Sequence, residues 1–348
     1  TRGTLIHFSA RNLEMSIIDT LSQAGREVDG VILQYLERGA SRDFLPIVLH
    51  QVEAGGKRVR SALSMLSCEA TGGDRAAALR PAAMIELIHN YSLVADDIID
   101  RGEIRRGLPT VRAKYSDAMA LLAAMHYREV LDEIANDCPR SDDMRKLMIE
   151  TIKATIEGER LDILFEQAGR NEDYIVKHRC KNVSWDLYFE MIGKKTAALI
   201  RASCLAGCLA ASASDDATDA LAGYGWKIGL GFQVADDFLD IFGEKTGKEK
   251  GKDIIEHKLG NAVIISALEE LSDRKAKGLL AILRSSRVNA SKLKEAMELI
   301  DGTGAKTRTY RLAAKLVNEG KAKLEILPES SAKTALVQLA DFIATRVY

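Results

Sequence analysis

The stretch PAAMIELIHNYSLVADDIID, residues 81–100, decides the fold, because an apolar helical pattern runs directly into three aspartates. Successive residues of a helix are about 100° apart, so Asp96 and Asp100 lie about 40° apart, with Asp97 on their flank. Three like charges on one helix end repel one another and need solvent or cations as compensation. The pattern therefore predicts a long helix that ends at a site for positive charge.

A second copy of this arrangement ends DALAGYGWKIGLGFQVADDFLD, residues 219–240. Asp236, Asp237 and Asp240 repeat the spacing of the first motif. One such motif alone would be a solvated acidic helix end, but two copies after similar apolar helices favour metal binding. Mg²⁺ takes oxygen ligands, typically one or two carboxylates together with phosphates and waters. We expect two helices that face each other across a cavity and bind Mg²⁺ together with phosphate.

Composition and periodicity indicate an all-α fold. The 348 residues are 47% hydrophobic but only 5% aromatic, with five prolines, which suits long helices rich in Ala, Leu and Ile. Apolar residues recur at helical spacing, as in residues 17–38, and alternating strand patterns are scarce. Loop signals separate roughly ten helices. They fall at residues 39–43, 70–75, 101–110, 136–143, 168–173, 211–216, 243–253 and 285–291. Because no Pro-, Gly- or Ser-rich linker is evident, one domain over residues 1–348 is favoured over two.

Charge and cysteine usage exclude several classes of protein. Lys and Arg number 49 against 50 Asp and Glu, so no basic field suggests nucleic acid. The five cysteines are odd in number and lack zinc-like spacing, which favours a reducing compartment. No signal-peptide pattern is evident, and the longest apolar stretch, residues 118–125, is far shorter than the roughly 20 residues that span a bilayer. We expect a cytoplasmic protein without a transmembrane segment.

Basic residues that could bind phosphate occur at four places. GGKRVR, residues 55–60, follows a Gly-Gly turn at a predicted helix N-terminus, and RRG follows the first acidic motif. GKKT and the loop after the second motif supply lysines. These candidates are Lys57, Arg58, Arg60, Arg105, Arg106, Lys194, Lys195, Lys248, Lys252 and Lys258. Each stretch alone could be a solvated basic surface.

Together, the acidic and basic stretches predict a site for two diphosphates. One would be bridged by Mg²⁺ to the acidic helices, and the other would be held directly by Lys and Arg. No Ser-His-Asp or Cys-His nucleophile set is evident, and no GxxxxGKS phosphate loop is present. The metal is therefore expected to act as the electrophile that draws a diphosphate away from carbon.

These stretches resemble the motifs of the trans-isoprenyl diphosphate synthases, also called polyprenyl synthetases, and in particular the archaeal geranylgeranyl type. The matching segments are GGKRVR, SLVADDIID, RRGLPT, GKKTAAL, FQVADDFLD and GKEKGKDIIEHKLGN. The resemblance implies the isoprenoid synthase fold, a single large helical bundle around a deep apolar cavity, and a homodimer. It also implies a Mg²⁺-dependent, head-to-tail condensation of isopentenyl diphosphate with dimethylallyl, geranyl or farnesyl diphosphate.

The resemblance also assigns residue roles. Magnesium would be bound by Asp96, Asp97, Asp100, Asp236, Asp237 and Asp240. The allylic diphosphate would be held by Arg105, Lys195, Lys248 and Lys258, and isopentenyl diphosphate by Lys57, Arg60, His89 and Arg106. Thr196 and Gln233 would line the place where the allylic cation forms.

Product length in this family depends on the residues before the first acidic motif. Here these are Tyr91, Ser92 and Ile88, and an aromatic at the fifth position upstream resembles the geranylgeranyl type. A twenty-carbon product is the first expectation, with twenty-five carbons second and farnesyl diphosphate also considered. Met119, Leu122, Met125 and His126 are expected to share the cavity wall.

Two alternatives stay open. A class I terpene cyclase shares the first DDxxD motif but normally lacks the second and the isopentenyl diphosphate site. A non-catalytic or regulatory subunit of a heteromeric prenyl synthase typically loses motif aspartates, and none is lost here.

Overall fold

The helices of the first half of the chain carry the first acidic motif. The computed structural model describes residues 2–243 and 250–345, with side chains over residues 17–243 and 250–343. Over the first part of the chain the elements are α1 (Arg2–Leu36), α2 (Leu45–Glu53), α3 (Val59–Ala70), α4 (Arg75–Ile99), β1 (Ile104–Arg105), β2 (Leu108–Pro109), α5 (Val111–Tyr115), α6 (Asp117–Asn136), α7 (Ser141–Phe165) and α8 (Asp173–His178).

The second half carries the second acidic motif, in α11. Its elements are α9 (Trp185–Ile192), a π-helical turn (Gly193–Ala197), α10 (Ala198–Ala211), α11 (Asp215–Phe242), α12 (Lys252–Ile255), α13 (Ala262–Glu270), α14 (Asp273–Leu283), α15 (Ala290–Asp301), α16 (Ala305–Lys323), a 3₁₀ turn (Leu324–Ile326) and α17 (Ser331–Thr345). The all-α prediction is confirmed. One short hairpin, β1 with β2, lies inside the predicted loop at residues 101–110.

Packing divides the chain into two compact units. Unit 1 comprises Thr1–Lys153, Leu199–Gly225 and Lys323–Leu339, and unit 2 comprises Ala154–Ala198, Trp226–Ala322 and Ala340–Tyr348. Each unit is built from segments that are distant in the sequence. The single domain over residues 1–348 and its deep apolar cavity stay predictions. Within the described residues, no helix is long and apolar enough to cross a bilayer.

In unit 1, α4 is the central helix and it positions the first acidic motif. Asp74 caps its N-terminus by accepting a hydrogen bond from the Ala76 amide at 3.0 Å. Ile85 and Ile88 are fully buried where α4 packs against α1, α3 and α6. Burial of a side chain of this size stabilises the folded state by about 1.5–3 kcal/mol. The helix therefore holds its acidic C-terminal end at a fixed place.

In unit 2, the second acidic motif lies on the part of α11 that follows Gly225. Leu230 and Val234 of α11 pack in one apolar cluster with Phe165 of α7 and Tyr188 of α9. Asn261 caps α13 by accepting hydrogen bonds from the Val263 and Ile264 amides at 2.8 and 3.3 Å. These contacts fix the helix on which the second acidic motif lies.

Candidate active site

The first acidic motif lies at a helix end that the backbone closes tightly. Asp100 is the C-cap of α4, and the Gly102 amide donates to the Asp97 carbonyl at 2.9 Å. The Arg101 amide donates to the Ile98 carbonyl at 3.4 Å, with Arg101 at φ 54°. These two bonds and the left-handed residue form a Schellman motif, which reverses the chain directly after the helix. The carboxylates are thereby placed beside the following hairpin.

This hairpin brings Arg105 onto Asp97. Arg106 and Gly107 form its two-residue turn at φ 55° and 78°, as a type I′ turn requires. Arg105 donates to both carboxylate oxygens of Asp97, with Nε at 3.0 and 3.1 Å and a terminal nitrogen at 2.9 Å. Asp97 is buried, and a Cβ at Gly102 would lie only 2.7 Å from its Oδ1. Glycine at residue 102 therefore leaves the space that this carboxylate occupies.

The other two aspartates of the first motif are more accessible. Asp96 is half-buried and Asp100 is exposed. The structure therefore presents one buried carboxylate and two more solvent-accessible ones at the same helix end.

The hairpin also brings together two motifs that are 50 residues apart, GGKRVR and RRG. Gly56 has φ 147°, and a Cβ on it would lie 2.9 Å from the guanidinium carbon of Arg106. Burial lowers the pKa of Arg106, and the nearby Arg58 lowers it further. The guanidinium therefore lies directly over the glycine backbone.

Arg60 and His89 belong to the same basic cluster. Burial holds the pKa of His89 well below its usual value, and the neighbouring cations Arg60, Arg106 and Arg105 lower it further. Burial also lowers the pKa of Arg60, whose Nε is buried without a hydrogen-bond partner among the described residues. Lys57 is exposed at the edge of this segment. The structure thus gathers Arg60, His89 and Arg106, with Glu86 as a carboxylate that acts on both arginines.

Arg58 does not belong with the phosphate-binding candidates. Its guanidinium donates to Asp29 at 2.8 Å, to Glu86 at 3.2 Å and to the Val52 carbonyl at 2.9 Å. The side chains of Arg58 and Glu86 are each only 2% exposed. The hypothesis that Arg58 binds phosphate is therefore wrong, because a buried cation needs buried acceptors and Arg58 has them inside unit 1.

The second acidic motif is built around Asp237. Its buried carboxylate accepts hydrogen bonds from Tyr188 Oη at 2.7 Å, Gln233 Nε2 at 3.0 Å and the Ala262 amide at 2.8 Å. Burial raises the pKa of Asp237 well above its usual value, and the nearby Asp253 adds to this. Gln233 in turn accepts a hydrogen bond from Thr196 Oγ1 at 2.8 Å. A continuous series of hydrogen bonds thus connects Thr196, Gln233, Asp237 and Tyr188.

Asp240 lies one helical turn further along α11. Its carboxylate accepts hydrogen bonds from the Lys252 and Asp253 amides at 3.1 and 3.2 Å. Burial and the charge of Asp253 raise its pKa to about 7. Asp236, beside it, is half-buried. The Asp253 side chain is itself a carboxylate, and it accepts a hydrogen bond from Asn261 Nδ2 at 2.8 Å.

Two of the predicted allylic-diphosphate lysines meet over α7. Lys195 Nζ lies 2.6 Å from Glu159 and 2.6 Å from Asp162. Lys258 Nζ lies 3.3 Å from the same Asp162 oxygen. Lys195 and Thr196 lie in the π-helical turn, a local widening of the helix that occurs mostly at functional sites. Lys248, the third lysine, lies outside the described residues.

The chain-length candidates lie on α4 one to two turns before the aspartates. Ile88 is fully buried, whereas Tyr91 and Ser92 are half-buried. The Ser92 hydroxyl donates to the His89 carbonyl at 2.9 Å. On α6, Leu122 and Met125 are 45% and 57% exposed and line an open groove of about 380 Å³ with Phe44 and His126. Ala120, Ala123 and Ala124 are the buried residues of this part of α6, and the shared cavity wall stays a prediction.

The residue types of the two motifs fit magnesium. All six aspartates offer hard oxygen ligands, which this ion prefers. Burial raises the pKa of Asp237, Asp240 and Asp253, and the charge of Asp253 raises the pKa of the other two further. Within the described residues, no three side chains of His, Cys, Asp or Glu are grouped as a complete metal cage. A magnesium ion that takes one or two carboxylates and substrate phosphates needs no such cage.

Sequence reasoning missed four residues of these clusters: Glu159, Asp162, Tyr188 and Asp253. Glu159 and Asp162 are three residues apart on α7, a spacing that puts both on one helix face. This pair in the stretch ERLDILF, residues 159–165, was the available signal. The sequence offers no such signal for Tyr188, because a buried tyrosine in a helix is indistinguishable in sequence from a core residue.

The close approach of α7 to the π-helical turn gives a testable prediction. A Cβ at Gly158 would lie 2.2 Å from the Lys195 amide nitrogen and 2.6 Å from its Cα. Gly158→Ala should therefore force the two backbones apart and lower the free energy of unfolding by about 1–3 kcal/mol. Chemical unfolding followed by circular dichroism measures the change.

Gly278→Ala is the matched control for this substitution. Gly278 lies in α14, and a Cβ there would meet nothing nearer than Leu299 Cδ1 at 3.9 Å. Alanine in place of a helix-interior glycine should raise the free energy of unfolding by about 0.5–1 kcal/mol. Equal effects of the two substitutions would contradict the close contact between Gly158 and the turn.

Comparison with known proteins places the chain in a family. The model of the polyprenyl synthetase family matches residues 43–300. A short chain isoprenyl diphosphate synthase of Methanothermobacter thermautotrophicus is 35% identical over 337 residues, which cover 95% of this chain and 99% of the relative. A geranylgeranyl diphosphate synthase of Methanosarcina mazei is 33% identical, with 96% and 99% covered.

A solved structure agrees with this assignment. The geranylgeranyl pyrophosphate synthetase of Pyrococcus horikoshii superposes with a TM-score of 0.86 at 30% identity, covering 95% of this chain and 98% of that one. The chain therefore belongs to the polyprenyl synthetase family.

Proposed function

We propose that this protein is a trans-prenyltransferase that condenses isopentenyl diphosphate head to tail with an allylic diphosphate. The observation that carries the proposal is the completeness of the site. All six motif aspartates are present in a chain that matches a short chain isoprenyl diphosphate synthase over 95% of its own length. A terpene cyclase or a non-catalytic subunit would be expected to have lost part of this set.

The allylic diphosphate is assigned to the cations beside the aspartates. Arg105 presents a planar fork at Asp97, and Lys195 and Lys258 share Asp162. Cations held in place before the reaction stabilise the charge that develops on a departing diphosphate. Lys248 is assigned to the same ligand from its motif alone. Thr196 and Gln233, joined by their hydrogen bond, would orient their oxygens toward the carbon that loses the diphosphate.

Isopentenyl diphosphate is assigned to the basic cluster of unit 1, comprising Lys57, Arg60, His89 and Arg106. The support is the lowered pKa of His89 and Arg60, which results from burial and, for His89, from the nearby cations Arg60, Arg106 and Arg105. A diphosphate would compensate this charge. Arg106, held over Gly56, offers a bidentate fork for phosphate oxygens.

Magnesium is proposed as the cofactor, bound by Asp96, Asp97, Asp100, Asp236, Asp237 and Asp240. When bound, it would neutralise the diphosphate oxygens and so favour cleavage of the bond to carbon. Tyr188, Gln233 and the Ala262 amide orient Asp237 for this purpose. The amides of Lys252 and Asp253 orient Asp240 in the same way.

Geranylgeranyl diphosphate is the proposed product. Tyr91 and Ile88 supply bulk on α4 before the first motif, and Ser92 is small. The names of the relatives from Methanosarcina mazei and Pyrococcus horikoshii support twenty carbons. A twenty-five-carbon product is the next candidate.

A cytoplasmic homodimer is the proposed state of the protein. Leu121, Leu122 and Met125 of α6 are 55%, 45% and 57% exposed, an apolar surface that a second copy could cover. Sedimentation at micromolar concentration distinguishes a particle of twice 38.1 kDa from a monomer.

The function is tested by incubating purified protein with Mg²⁺, labelled isopentenyl diphosphate and, separately, dimethylallyl, geranyl or farnesyl diphosphate. Sizing the dephosphorylated products should give a ladder that ends at twenty carbons. No elongation from any primer would refute a self-sufficient synthase and favour the partner-subunit alternative. A cyclic product formed without isopentenyl diphosphate would favour the terpene cyclase.

A further inference from the structure

The ammonium group of Lys195 lies between two carboxylates of one helix. Its Nζ is 2.6 Å from Glu159 Oε2 and 2.6 Å from Asp162 Oδ2. The Glu159 side chain is 13% exposed and that of Asp162 is 9% exposed, so solvent screens these pairs less than surface pairs. A single positive charge therefore faces two negative ones at contact distance.

The position of these carboxylates is fixed by backbone packing. Gly158 brings α7 against the backbone of Lys194 and Lys195 so closely that no Cβ fits between them. Glu159 follows this contact directly, and Asp162 lies three residues later on the same face. The proximity of Glu159 to Lys195 is therefore a consequence of the fold and does not depend on a flexible surface side chain.

The two carboxylates have different surroundings. Asp162 contacts both Lys195 and Lys258, and these cations hold its pKa below the usual value although burial alone would raise it. Lys258 is also 3.5 Å from Glu256. Glu256 in turn pairs with Lys252 at 3.0 Å. Carboxylates at contact distance thus offset much of the positive charge that Lys195 and Lys258 bring to the site.

We propose that Glu159 is a positioning residue that holds the Lys195 ammonium against α7 and offsets its charge, so that Lys195 binds diphosphate less tightly than it otherwise would. This inference rests on the proposed function. Because the allylic substrate, the elongated product and the released diphosphate all carry the same group, weaker binding by Lys195 acts on all three. Such uniform weakening raises KM and eases product release.

Glu159→Gln tests this role because it removes the charge and keeps the shape. We expect KM for the allylic diphosphate to fall about tenfold, as removal of a negative charge near a polyanion predicts. KM for isopentenyl diphosphate should be unchanged and kcat should not rise. Equilibrium binding of farnesyl diphosphate with Mg²⁺, measured by calorimetry without isopentenyl diphosphate, should tighten by the same factor.

Glu157→Gln is the matched control. It removes one charge from the same helix two residues earlier, where Glu157 pairs with Arg160 at 2.6 Å. Both KM values should equal those of the wild type. Glu159→Asp provides a second variant, since its shorter side chain withdraws the carboxylate from Lys195, and we expect a fall of about threefold in KM.

The outcomes separate this inference from the proposed function. An unchanged or raised KM for the allylic diphosphate in the folded Glu159 variants, with an active wild type, would overturn the role of Glu159. If Glu159 had a purely structural role, its substitution would lower the free energy of unfolding and would not change one KM relative to the other. An inactive wild type would instead refute the proposed function.

Discussion

Asp97→Asn is expected to lower kcat/KM for chain elongation by about 10²–10³-fold, the loss typical when one preorganised electrostatic group is removed from an active site. Asp97 accepts from Arg105 with both oxygens, at distances of 2.9–3.1 Å. An asparagine has one acceptor oxygen and presents its amide hydrogens to the guanidinium. It also carries no charge for a metal. Steady-state kinetics at saturating Mg²⁺, with circular dichroism as the check on folding, measures the effect.

Asp117→Asn is the control for this substitution. Asp117 lies at the start of α6 and pairs with Arg112 at 2.6 Å, with its side chain 61% exposed. The variant should retain the activity of the wild type, because an exposed pair of this kind contributes little. If Asp97→Asn were as active as Asp117→Asn, the metal-binding assignment of the first motif would be wrong.

Arg58→Met is expected to lower the free energy of unfolding by about 3–5 kcal/mol, the usual cost of leaving one partner of a buried ion pair unpaired. Arg58 joins three helices of unit 1, because it contacts Asp29 of α1, the Val52 carbonyl of α2 and Glu86 of α4. Without the guanidinium, Glu86 retains only the Ser61 hydroxyl at 2.8 Å among the contacts described for its carboxylate. Urea unfolding measures the loss.

Two further variants test the interpretation. Adding Glu86→Leu to Arg58→Met removes the stranded charge and should recover most of the lost stability, since replacing both buried partners by apolar groups is often neutral. Arg145→Met removes a cation whose partners Asp132 and Asp142 are 45% and 99% exposed, and it should cost less than about 1 kcal/mol. A small effect of Arg58→Met, equal to that of Arg145→Met, would contradict a structural role for Arg58.

Much of the fold could be predicted from the sequence. The 3.6-residue periodicity of apolar residues identified the helices, and glycine and proline clusters identified the loops between them. The Gly-Gly turn before α3 and the end of α4 at the first acidic motif were also predicted. The division into two packing units could not be, because it depends on contacts between distant segments such as α10 and α3.

The candidate site could be predicted where a motif occurs twice in the sequence. It could not be predicted where it depends on contacts between side chains that are distant in the sequence. Two DDxxD motifs are distinctive, and so are paired basic stretches. By contrast, Lys57, Arg58 and Arg60 have the same charge and nearly the same place in the sequence, and what sets Arg58 apart is its hydrogen bonds to Asp29 and Glu86. Glu159 was missed because one glutamate in a helix is usually solvated, and its significance comes from the position of Lys195.

The left-handed arginines have a consequence for protein engineering. Arg58, Arg101 and Arg106 are three of the four described arginines with a left-handed backbone. Their φ values are 50°, 54° and 55°, a conformation that glycine adopts more easily. Arg101 and Arg106 also follow the first acidic motif directly in the sequence. At Arg58 and Arg106, relief of backbone strain would remove the guanidinium that anchors unit 1 or covers Gly56. Selection for thermostability by local backbone preference would therefore favour glycine at these arginines. The backbone strain there accompanies a guanidinium group that is held in a particular place.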